Sequence, residues 1–95
     1  MTVDVRSAVD AAQIYLDSVQ DMIGHTEDLR LEEAELSEDK QYWLITLGFN
    51  RLVDKTSNPL ADLVAIRNYE RDYKVFKINA QTGEVQSMKI RQDRN

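Results

Sequence analysis

Residues 5–24 read VRSAVDAAQIYLDSVQDMIG, and most of the fold follows from how that stretch is read. Val5, Val9, Ala12, Leu16, Val19 and Ile23 recur at intervals of 4, 3, 4, 3 and 4. This is the repeat of one face of an α-helix, held for about five turns. Ala8, Ala11, Tyr15 and Met22 widen the apolar arc, while Asp10, Asp17 and Asp21 lie opposite with Ile14 beside them. Thr2 or Asp4 can cap the start, and early Asp residues suit the helix dipole. Gly24 can end the helix because it tolerates backbone conformations closed to other residues. The pattern predicts a helix over residues 4–23 whose stripe from Val5 to Ile23 is core.

Downstream the period changes from helical to alternating. After a polar turn at His25–Asp28, Leu29–Leu36 reads as an acidic strand whose alternation slips between Leu31 and Ala34, the mark of a bulge or an edge. Ser37–Lys40 is a polar turn. Tyr42–Leu52 is a strand with Trp43, Ile45, Leu47 and Phe49 on one face. Asp54–Pro59 reads as a loop, since Ser57-Asn58-Pro59 cannot continue a central strand. Leu60–Ile78 is mostly extended, most clearly from Tyr69 onward. Asn79–Gly83 is a hairpin turn, and Val85–Arg91 closes the sheet. Short connections make sequential strands antiparallel neighbours, so the expected fold is α+β: one amphipathic helix on a four-stranded antiparallel meander.

The chain has 95 residues, enough for the single domain expected over 1–95. It contains no cysteine, which excludes disulfides and thiolate metal sites. No signal-peptide pattern or membrane-length apolar run is present, and the chain reads as cytoplasmic. Residues 1–40 carry eleven acids against three bases, a net of −8, and residues 41–95 carry six acids against nine bases, a net of +3. The acidic first half argues against nucleic acid as principal ligand, because phosphate binding needs a concentrated basic surface. Arg67, Arg71, Lys74, Lys77, Lys89, Arg91 and Arg94 read as charges that keep half-exposed strands soluble.

Little in the sequence carries chemistry. His25 is the only histidine, so a two-histidine metal site or a histidine relay cannot be built. None of the serines lies in a nucleophile elbow, and three scattered glycines cannot form a phosphate-cradling loop. Carboxylates are plentiful, but acid–base or metal work requires a pocket that separates their pKa values, and a solvated acidic surface is the simpler reading. The expectation is therefore no catalytic residue, no metal, no cofactor and no obligatory small-molecule ligand. Apolar residues in excess of one core do stand out. If Trp43, Ile45, Leu47 and Phe49 face the helix, then Tyr42 and Leu44 point away from it, as Tyr69 and Tyr73 do on the next strand. One helix covers one face of such a sheet. Tyr42, Leu44, Tyr69 and Tyr73 are thus the candidate partner-binding residues.

The segment from Asp72 to Val85, DYKVFKINAQTGEV, resembles the closing hairpin of PepSY-like domains, in which a strand enters a polar D-x-x-T-G-x-V turn. Asn79 stands where that turn usually begins with Asp, and the helix-then-strands order is similar to the cystatin-like α+β layout of the same domains. The resemblance implies a non-catalytic module that binds or inhibits partners. It does not extend to cystatin-type protease inhibition, whose Q-x-V-x-G hairpin and later Pro-Trp are absent.

The reading that follows is a protein-binding module, an inhibitor or accessory subunit, whose partner is another protein or a second copy, with no nucleic acid and no membrane involved. From another class comes the alternative of a ligand-binding or enzymatic cone with a pocket between helix and sheet, using Tyr15, Trp43 and Thr46. An immunity-type protein fits the size and acidity equally well.

Overall fold

The computed structural model describes residues 2–52 and 69–91, the side chains of Leu52 and Tyr69 excepted. The elements run α1 (Val5–Ser18), α2 (Gln20–Ile23), β1 (Thr26–Leu36), β2 (Tyr42–Leu52), β3 (Tyr69–Asn79) and β4 (Val85–Ile90). Asp4 caps α1, its carboxylate accepting from the Ser7 backbone N–H at 2.8 Å. That bond holds the Asp4 carboxyl below its ordinary value.

The single helix expected over 4–23 is interrupted. Val19 has φ −115° and ψ 13°, outside the helical region, and a one-turn α2 follows it. The Tyr15 carbonyl, which a continuous helix would pair with the Val19 N–H, instead accepts from the Ser18 hydroxyl at 2.6 Å. The Val19 N–H turns to the Leu16 and Asp17 carbonyls. At Gly24, φ 97° and ψ 167° redirect the chain into β1, a conformation reserved for glycine.

The strands form the expected antiparallel sheet in the order β1-β2-β3-β4. The polar turn expected at His25–Asp28 is mostly strand, because long β2 supplies partners that far, with Thr26 opposite Arg51 and Glu27 opposite Asn50. The residues in excess are absorbed by a register shift between Glu27 and Arg30, where Asp28 takes φ 55°. The expected slip between Leu31 and Ala34 is a second shift, between Leu31 and Glu33. At the β3–β4 turn the Asn79 side-chain oxygen accepts from the Gln81 and Thr82 N–H groups, the task an Asp would perform there. The expected loop at Asp54–Pro59 and the extended stretch from Leu60 as far as residue 68 lie outside the described residues.

Ala8, Ala12 and Leu16 of α1 are fully buried against Ile45, Leu47 and Phe49 of β2 and Phe76 and Ile78 of β3. Each large side chain so buried contributes about 1.5–3 kcal/mol. The Tyr15 ring meets Phe76 edge-on with centroids 6.2 Å apart, and the Trp43 indole donates to the Val3 carbonyl at 2.9 Å. The predicted core stripe is narrower than expected, since Val5 is 42% exposed and Val9 and Ile23 only half-buried. A helix about 10 Å across cannot span strands whose outer axes lie about 14 Å apart. It packs on β2, β3 and β4, leaving Leu31 of β1 49% exposed on the helix side.

Candidate functional site: the uncovered face of the sheet

No described helix or strand covers the second face of the sheet. The pairing places Tyr42, Leu44, Thr46, Gly48 and Asn50 of β2 there, beside Lys77, Val75, Tyr73 and Arg71 of β3 and Glu35, Glu33 and Arg30 of β1. Three of the four candidate residues, Tyr42, Leu44 and Tyr73, therefore share this face as expected. Tyr69 opens β3 opposite Leu52, and its side chain lies outside the described residues.

The face is curled inward. Arg91, which follows β4 and continues the ladder through an N–H bond to the Tyr73 carbonyl, reaches Glu33 of β1 with Nη1 2.8 Å from Oε1. In a flat sheet β1 and β4 would stand about 14 Å apart with two strands between them. Arg71 makes a second crossing from β3 to β1. Its Nη2 donates to Glu32 at 3.0 Å, and its Nη1 donates to the Asp28 carbonyl at 2.9 Å and to the Asn50 side chain at 3.3 Å. Thr46, which lies on this face between Glu33 and Val75, is only 3% exposed. Glu32 is the bulge residue of β1, and its side chain lies over Gly48. A Cβ on residue 48 would come within 2.5 Å of the Glu32 carboxylate oxygen.

The bridges divide the face in two. At one end Glu32, Glu33, Tyr73 and Arg91 line a recess of about 330 Å³. At the other, Tyr42 and Leu44 are neighbours, with the Lys77 ammonium 4.1 Å from the Tyr42 ring centroid. Tyr42 pairs with Asn79, six residues along β3 from Tyr73, which at 3.3 Å per residue is a separation of about 20 Å. The tyrosines form two patches joined through Thr46 and Val75 rather than one cluster.

The recess holds two charge pairs. Glu32 pairs with Arg71 and Glu33 with Arg91. Among the described residues no three metal-type ligands converge. The cone alternative fares differently: Tyr15 and Trp43 lie on the helix side while Thr46 lies on the opposite face, so these three do not converge on one pocket. On the helix side, Arg51 donates to Asp72 at 2.6 Å with Glu70 at 3.7 Å, and this pairing raises the Arg51 pKa further above its usual range. Of the basic set, Arg71 and Arg91 bridge the uncovered face, and Lys74 lies beside Arg51 and Asp72 on the helix side. Arg67 and Arg94 lie outside the described residues.

Charge content announced neither cross-sheet bridge. Finding them requires the register, and the bulge at Glu32 displaces the acids of β1 from simple alternation. No protein-family model, curated protein or solved structure matches the chain. Among the described residues, no helix is long and apolar enough to cross a membrane.

Proposed function

We propose that the protein is a non-catalytic protein-binding module that receives its partner on the curled, uncovered face of the sheet. The supporting observation is that α1 packs on one face only, while the other presents Tyr42 and Leu44 beside a polar recess at Tyr73. Tyrosine suits such a surface: it offers a large apolar ring and a hydroxyl that tolerates water between encounters. The bridged arginines add donors at the recess end of the face, where a partner would shield them from solvent. The PepSY-like reading of the hairpin agrees with this role and leads to an inhibitor or accessory subunit acting in the cytoplasm.

Substitution separates interface from fold. Tyr42→Glu and Leu44→Asp are expected to abolish partner capture while the thermal melt stays close to wild type, because neither side chain touches the helix-side core. Partner binding by both variants at wild-type strength would exclude this face.

A further inference from the structure

The two edges of the sheet match one another in apolar pattern and in charge. Following the pairing across the four strands, Ile90 of β4 is level with Lys74, Leu47 and Leu31, and Met88 is level with Phe76, Ile45 and Ala34. These rows lie on the helix side, and the residues that end the first row remain open: Ile90 is 73% exposed and Leu31 49%. On the other face Lys89 is level with Val75, Thr46 and Glu33, and Ser87 is level with Lys77, Leu44 and Glu35. β1 carries five acids and one arginine over 26–36, a net of −4, whereas residues 85–91 carry Lys89 and Arg91 and no acid, a net of +2. β1 and β4 also run antiparallel to one another, as the alternation of directions requires. Among the described residues neither strand pairs along its outer edge.

We propose that the chain self-associates head to tail, the β4 edge of one copy adding to the β1 edge of the next. In level register Ile90 of one copy covers Leu31 of its neighbour, Met88 meets Ala34, and Lys89 stands opposite Glu33. Exposed Lys89 has no ion-pair partner among the described residues, so it is free to make that contact. Added strands bind through main-chain hydrogen bonds, with alternate side chains setting specificity. The symmetric alternatives are disfavoured by the same charges: joining β1 to β1 packs acid on acid, and joining β4 to β4 packs Lys89 and Arg91 together. A head-to-tail contact is not self-closing, so association continues past the dimer as concentration rises. This junction runs along the outer edges of β1 and β4 and meets the face assigned above to partner binding at Lys89 and Glu33.

Sedimentation velocity and light scattering over a concentration series, at low and high salt, test the proposal through a charge swap. Wild type is expected to grow in mean mass beyond a dimer and to shrink as salt is added. Glu33→Lys alone sets a second ammonium against Lys89, and Lys89→Glu alone sets a second carboxylate against Glu33, so each variant is expected to sediment as a monomer. An equimolar mixture of the two variants restores an opposite pair at every junction and is expected to regain association. Far-UV circular dichroism establishes that each variant is folded. Should Glu33→Lys fail to fold, Ile90→Asp, at an open position, carries the same expectation of a monomer. A wild type that stays monomeric at low salt overturns the proposal, as does a mixture that fails to recover. A mass that stops at the dimer and is lost in Tyr42→Glu also overturns it, and assigns self-association to the uncovered face instead.

Discussion

Asp4, Leu16 and Gly48 show how differently single residues carry this fold. Leu16 is fully buried where α1 crosses the sheet, so Leu16→Ala removes transfer energy and leaves a cavity. Denaturant melts are expected to show a loss of about 2–5 kcal/mol. Val5 heads the same sequence stripe but is half open to solvent, and Val5→Ala is expected to cost less than about 1 kcal/mol. The stripe alone could not separate the two, because periodicity reports direction around the helix and not how far the sheet extends beneath it. Gly48 is a residue whose role sequence did not expose. Its missing Cβ leaves room for the Glu32 side chain. An added methyl displaces the end of a flexible, partly exposed side chain and loosens its pair with Arg71. Such pairs are worth about 0–1 kcal/mol, and replacing glycine in a strand returns about 0.5–1 kcal/mol of chain entropy. Gly48→Ala is therefore expected to leave the melting midpoint nearly unchanged, whereas a loss above about 2 kcal/mol would mean that Glu32 is held rigidly.

At the scale of elements, the helix and the strand periods were legible because apolar spacing is set by the same geometry that buries them. The break at Val19 was not, since it depends on the Ser18 hydroxyl taking a carbonyl that Val19 would have used. The start of β1 was likewise hidden: Thr26 and Glu27 are strand because β2 is long enough to pair with them, not through any preference of their own. The N-terminus of α1 carries a pH signature. The Ser7 N–H stabilises the charged form of Asp4, so its carboxyl titrates below its ordinary value of 3.8 in the folded protein. A group shifted in that direction adds stability above its unfolded pKa, and the contribution fades as pH falls through the folded value. Asp4→Asn, which retains a capping oxygen but no charge, is expected to melt lower than wild type at neutral pH. The gap should narrow as the pH of the melts falls below 3.8 and through the lowered folded-state value. A gap that persists in acid would assign the effect to cap geometry instead of charge.

For the whole molecule, the uneven distribution of charge along the chain becomes a device of shape. The acidic first strand and the basic later strands meet across the uncovered face, Glu33 with Arg91 and Glu32 with Arg71. The −8 and +3 halves were visible in the sequence, but which acids meet which bases depends on two register shifts and on the direction of curl. The bridged side chains are partly exposed, Glu33 by 53% and Arg91 by 48%, so solvent and salt screen them. Their contribution to stability is consequently small even though their effect on the surface is large. A double-mutant cycle with Glu33→Gln and Arg91→Gln should give a coupling of about 0.2–1 kcal/mol that declines as salt is raised. Losing the bridge should uncover Thr46, which is 3% exposed on a face that no described helix or strand covers. Amide exchange around Thr46 is therefore expected to quicken in the double variant while exchange around Leu16 and Phe49, on the core side, stays slow. Unchanged protection at Thr46 would show that the curl belongs to the strands themselves, through their twist and the bulges of β1. The two arginines would then decorate a concave face that exists without them.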